Sequence, residues 1–262
     1  MLDFIKDNNE IYRGLQVTYQ QMLDSTQNAY LKILQAQENY FKNHPTLSTE
    51  FIEESRTLLK QSLLKFEYSV MVDIQMHSIR EVRGLRVNPN LQDLISVPAG
   101  SYGEVPFLDS LLFDHSLFLW RSFLDFYMKY LVFFCTGKKE GYMSVKKFNS
   151  AFTRVEENSV SANVRDYFRQ NVFNEKSEEK KSNWGNTLSS FRNKTAHNEL
   201  LKLTMMSVKT RTGQTILEPT VHGEPVSYFV QNTFENNAFE MLRELQPILY
   251  GVEWVPGPYR PD

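Results

Sequence analysis

Apolar side chains recur at steps of three and four through residues 10–83 and again through 108–135, and no long alternating run competes with them. That spacing is the signature of amphipathic helices rather than strands. The chain is therefore predicted to be all-α, a helical bundle of five or more helices. Residues 2–43 read as one long helix or two in line, with Leu15, Tyr19, Met22, Thr26, Tyr30 and Ile33 on one face and a possible break at Gly14. His44-Pro45 ends it, because the residue before a proline avoids helical backbone. Ser48 suits the N-cap of a second helix reaching about Arg83, whose stripe is Leu59, Leu63, Phe66, Val70 and Ile74, continuing to His77. Two long helices and a short connection make an N-terminal αα-hairpin over 1–85 that carries no chemistry of its own.

Pro89, Pro98, Gly100, Gly103 and Pro106 break the pattern, so 86–107 reads as a long loop. The second unit, 108–262, opens with a helix from Leu108 to Cys135 that is apolar on most sides and hence central, closed by Gly137. A helical region over 144–171, interrupted near Asn158-Ser159, precedes a charged stretch at 174–182, and a fifth helix begins near Asn183. Thr212-Gly213 between two apolar runs predicts a small β-hairpin insertion at about 203–227, followed by a last helix over 227–249.

Composition removes several function classes. With 41% apolar and 23% charged residues the chain has the balance of a globular protein. A net charge of −2 argues against a large nucleic-acid footprint, since phosphate neutralisation supplies most non-specific affinity. The single cysteine, Cys135, allows neither an internal disulfide nor a cysteine-built metal site, and its apolar surroundings predict an inert thiol. The start of the chain has no secretory pattern, and the most hydrophobic segment, 108–134, carries Asp109, Asp114, Arg121, Asp125 and Lys129. A cytoplasmic protein without a membrane partner is expected.

The segment that points to chemistry is Ser190-Phe191-Arg192-Asn193-Lys194-Thr195-Ala196-His197-Asn198-Glu199, with an amide next to an arginine and a histidine five positions after it. Arginine stays charged and grips a phosphate with two donors. Histidine titrates near neutrality and suits proton transfer. A spacing of five places the two side chains roughly 140° apart and about 7.5 Å along a helix, so one helix presents only a loose half-site.

In these residues, and in their placement after a long central helix, the sequence resembles the HEPN superfamily, whose ribonucleases carry arginine, a polar residue, a short spacer and histidine. The resemblance covers roughly residues 105–250 and leaves the N-terminal hairpin unaccounted for. It implies catalysis by Arg192, Asn193 and His197, a 2′,3′-cyclic phosphate and a 5′-hydroxyl as products, and a homodimer in which two half-sites line one cleft. It also implies an RNA substrate rather than DNA, and a toxin or defence role with an antitoxin or regulatory protein as a further partner. Some HEPN toxins carry a modified tyrosine two places after the histidine; Glu199 stands there, so control by that route is not expected.

Two alternatives stay open: a non-catalytic HEPN scaffold that dimerises or docks a partner, and a nucleotide-binding module using Arg192 as a phosphate clamp. Neither a cofactor nor a metal is expected. His44, His77, His115 and His222 show no ligand spacing, and neither a phosphate-binding glycine loop nor a nucleophile elbow occurs. His77 reads as a core histidine, whereas Asp114-His115 reads as a first-turn pair that can approach the cleft.

Overall fold

The computed structural model describes residues 2–86, 104–153, 156, 159–196, 203–209 and 215–251. Helix α1 (Leu2–Asn43) runs unbroken through Gly14 and turns at 44–48 into α2 (Thr49–Arg86). The Ser48 hydroxyl accepts from the Phe51 N–H at 3.2 Å and so caps α2. The two helices lie antiparallel, and Arg56 of α2 grips both carboxylate oxygens of Glu38 on α1, at 2.6 and 2.5 Å. This pair holds the Glu38 carboxyl below its ordinary range. Being at the surface, it contributes at most about 1 kcal/mol.

Helix α3 (Glu104–Thr136) starts four residues earlier than the sequence suggests. Pro106 lies in its first turn, where a missing N–H costs nothing, so this proline is part of the helix rather than of the loop before it. The remaining positions of the expected loop, 87–103, lie outside the described residues. Phe113, Leu117, Trp120, Phe123, Leu124, Tyr127, Tyr130 and Leu131 of α3 are all buried. Phe66 of α2 packs edge-on to Trp120 and tilted against Phe123, with centroids 5.7 and 5.2 Å away.

Polar groups fix the register of this core. Asp73 of α2 is fully buried; its carboxylate accepts from Ser116 Oγ at 2.8 Å and Trp120 Nε1 at 2.9 Å, both on α3. Burial and the nearby Glu235 carboxylate push the Asp73 carboxyl well above its ordinary range, against the pull of those two donors. At the other end of α3, Gln37 of α1 donates to the Tyr130 hydroxyl, which in turn hydrogen-bonds Tyr250 near the C-terminal end of the fold.

Two shorter helices, α4 (Val145–Ala151) and α5 (Val160–Asn171), occupy the expected region 144–171, each capped by a serine: Ser144 accepts from Lys147 N and Ser159 from Ala162 N. Helix α6 (Lys180–Ala196) carries a kink at Asn183, whose φ of −137° is not helical; the straight part of α6 therefore starts where the sequence places a helix. Gly185 lets α6 approach the end of α5: its N–H donates to the Val172 carbonyl at 3.0 Å.

Strands β1 (Thr204–Lys209) and β2 (Thr215–Val221) pair antiparallel, with Thr204 opposite Thr220 and Lys209 opposite Thr215. A short β3 (Glu224–Pro225), which the sequence reading does not separate from the turn, adds to β2 through His222 and Gly223, with φ of 53° and 80°. Positive φ at both central positions suits a tight hairpin turn. A continuous helical run follows: α7 (Val226–Val230), a π-helical turn (Gln231–Glu235) and α8 (Asn236–Tyr250), closed by left-handed Gly251 at φ 66°. Helices dominate and the sheet is small, which places the protein in the all-α class. Among the described residues, no helix is long and apolar enough to cross a membrane.

Two substitutions test this packing. A Cβ at Gly185 would lie 2.5 Å from Phe173 Cε1 and 2.8 Å from Val172 Cγ1. Gly185→Ala is expected to destabilise by about 1–3 kcal/mol in urea unfolding, with the helical circular-dichroism spectrum retained. Asp73→Ala strands two buried donors and is expected to cost roughly 2–4 kcal/mol in the same measurement.

Candidate functional site

The straight part of α6 is held by apolar residues on one side: Trp184 and Leu188 are buried, and Phe191 packs edge-on to Phe113 of α3 and Phe229 of α7. Anchored there, the last turns of α6 present Arg192, Asn193 and Lys194 as exposed residues. The Lys194 ammonium lies 6.0 Å from the centroid of the Phe191 ring. The structure thus places Arg192 and Asn193 side by side at the surface. His197, one residue beyond Ala196, lies outside the described residues, as does Glu199.

An ion pair on α3, Arg121 with Asp125, reaches α6 at Ser189. Asp114, Arg121 and Asp125 occur at i, i+7 and i+11, which brings them onto one strip of the helix. The Arg121 Nη2 lies 2.8 Å from Asp125 Oδ1, and its Nε donates to Oδ2 at 3.2 Å. Its remaining nitrogen, Nη1, crosses to α6 and donates to Ser189 Oγ at 2.5 Å. The Ser189 hydroxyl in turn donates to the Gly185 carbonyl at 2.7 Å. Ser189 lies one turn before Arg192, and the Arg192 charge acts on Asp125 across the α3–α6 seam.

The balance at Asp125 is informative. Burial raises its carboxyl above the ordinary range, more than Arg121, Arg192 and Lys129 together lower it. Asp114, nearer the start of the same strip, is also raised by burial, and its Oδ1 accepts no hydrogen bond among the described residues. Its neighbour His115 is exposed on the outer face. Asp114 and His115 lie well inside α3 rather than in its first turn, and sequence reasoning does not single out Arg121, Asp125 or Ser189. Their only sequence signal is a polar strip in an otherwise apolar helix.

Of the other histidines of the sequence, His44 and His77 sit elsewhere, whereas His222 packs against Phe191, next to Arg192 in the chain. The His77 ring meets Tyr228 edge-on, with centroids 5.6 Å apart. His44 stacks on Tyr40 and its Nδ1 is 2.8 Å from the Tyr40 carbonyl, while His222 sits in the β2–β3 turn against Phe191 and Phe229. Burial pushes the Cys135 thiol up to about 12, so at neutral pH it is protonated and a poor nucleophile. Among the described residues, no three His, Cys, Asp or Glu side chains gather as metal ligands would.

Chemically, the arrangement presents a guanidinium and an amide at the surface of α6, one turn beyond Ser189, which the Arg121–Asp125 pair holds. Compared with known proteins, the chain matches no family model, no curated protein and no solved structure.

Proposed function

We propose that the protein is a metal-independent RNA endonuclease of HEPN type, a toxin or defence effector acting in the cytoplasm as a homodimer. In this reading Arg192 holds the scissile phosphate, Asn193 orients it, and His197 moves the proton of the 2′-hydroxyl attack. The observation that carries the reading is the joint exposure of Arg192 and Asn193 at the end of a well-anchored helix in an all-α fold, five and four residues before His197. A pair serving only the core would be covered by neighbouring helices. The near-neutral total charge fits a small catalytic cleft better than an extended nucleic-acid track.

The reaction proceeds by attack of the 2′-oxygen on phosphorus, with His197 taking or giving a proton and Arg192 countering the growing phosphorane charge. The 5′-oxygen leaves as a hydroxyl once protonated. A second reading, a dimeric docking scaffold without turnover, draws on Leu111 and Phe118, which stand 53% and 56% exposed on the outer face of α3.

A gel assay on total RNA tests the first reading. Cleavage is expected to persist in EDTA, and His197→Ala to slow it by about 10²–10⁴-fold. Arg192→Lys is expected to be costly too, since a point-charge ammonium cannot reproduce a two-donor grip. Both variants should melt like wild type. Wild-type activity in the His197 variant, or loss of cleavage in chelator, refutes the mechanism. Light scattering at micromolar concentration is expected to report a dimer, and a monomer there counts against a composite cleft.

A further inference from the structure

The half-buried ring of Phe191 is shared by more than the core. Besides Phe113 and Phe229 it meets the imidazole of His222 edge-on, with centroids 5.9 Å apart, and the Lys194 ammonium stands 6.0 Å from its centre. His222 and Lys194 are both exposed, and they come from different elements, the β2–β3 turn and the last turn of α6. Among the described residues, no carboxylate forms an ion pair with either. A lysine at a helix C-terminus is favoured by the helix dipole, so Lys194 alone says little. His222 says more. Its φ of 53° places a side chain at the first central position of a two-residue turn, where glycine or asparagine is the less strained choice. The turn that carries this imidazole is tied down at its far side, where Glu224 accepts from Asn232 Nδ2 at 2.6 Å.

We propose that Lys194 and His222, gathered against the Phe191 ring, form a phosphodiester-binding subsite that adjoins the Arg192–Asn193 end of α6. The inference rests on the ribonuclease reading for the identity of the ligand. Lys194 lies three positions after Phe191 and shares its face of the helix, whereas Arg192 leaves the helix about 100° away. The subsite and Arg192 therefore contact different phosphates of one strand. Lys194 supplies a compact charge with three donors, and the imidazole of His222 supplies a ring N–H. Both groups stand about 6 Å from the centre of one anchored ring, so an anion between them is met from two elements at once. With a total charge of −2, affinity for a polyanion has to come from a local grouping of this kind.

The test uses the full-length chain and a 2′-O-methyl oligoribonucleotide, which lacks the attacking hydroxyl and is bound without being cut. Fluorescence anisotropy is read at several salt concentrations for wild type, Lys194→Gln and His222→Asn. Asparagine suits the backbone of the turn and removes the imidazole, so His222→Asn is expected to melt like wild type. Each variant is expected to weaken binding about three- to tenfold. Lys194→Gln should also flatten the slope of log affinity against log salt by about 0.7, the mark of one lost phosphate contact on a single strand. A merely structural role would not move that slope. Wild-type affinity in either variant, or an unchanged slope in Lys194→Gln, overturns the subsite. Should His222→Asn melt lower than wild type, the slope of Lys194→Gln decides. Wild type that binds the oligonucleotide but cleaves no RNA overturns the ribonuclease reading and leaves the subsite standing. Wild type that does not bind it overturns the subsite, and cleavage of total RNA then decides the ribonuclease reading by itself.

Discussion

A helix that is apolar on nearly every side has to be surrounded, and α3 dictates the rest of the architecture by that requirement. Its buried face includes Trp120, Phe123, Tyr127, Tyr130 and Leu131, far more than one neighbour can cover. Helix α2 takes one flank along much of its length, α6 another, and the C-terminal run closes the far end through Tyr250. Apolar packing alone tolerates sliding. What removes that freedom is the pair of donors from Ser116 and Trp120 to the buried Asp73, since any slip would leave charge and donors unpaired in a dry interior.

The placement of the candidate site follows from how α6 is seated against that central helix. Two unlike devices act within two turns of each other. At Gly185 the absence of a side chain admits Val172 and Phe173, which sets the depth of α6; at Ser189 the Arg121 guanidinium sets its rotation. The exposed end of α6 inherits its position from both. A surface charge on a mobile stem is a weak recognition element, whereas one projecting from a helix pinned in depth and rotation has a defined direction.

Much of the fold is legible in the sequence for a simple reason. Helices as long as α1, α2 and α3 repeat their apolar spacing often enough for the period to be unmistakable. The exceptions are local. Pro106 looks like a breaker because its neighbours do, yet a proline in a first turn is compatible with helix. The kink at Asn183 is invisible to a spacing argument, because its side chain bonds the Ser177 carbonyl, a contact made by the preceding loop. The site divides in the same way. Arg192 and Asn193 stand out by adjacency to each other and to His197. Arg121 and Ser189 are 68 residues apart, and nothing short of the folded chain brings them together. The strip formed by Asp114, Arg121 and Asp125 is readable in hindsight as the polar seam of a helix that otherwise excludes water.

The π turn at Gln231–Glu235 has a consequence for how the C-terminal helix tolerates change in chain length. A π turn holds one residue more than an α turn, so it acts as an absorbed insertion. Deleting a single residue there would let the turn relax to ordinary α geometry with its flanks kept in phase, whereas a deletion in the first turn of α8 would rotate everything after it by about 100°. Met241, Leu245 and Leu249, which now point into the core, would swing toward solvent as a group, and Tyr250 would leave its bond with Tyr130. The turn therefore works as a phase adjuster: it lets α7 remain tied to the small sheet while α8 keeps its own apolar face aimed at the bundle. Loss of one residue is for that reason tolerated within the π turn and costly in the first turn of α8.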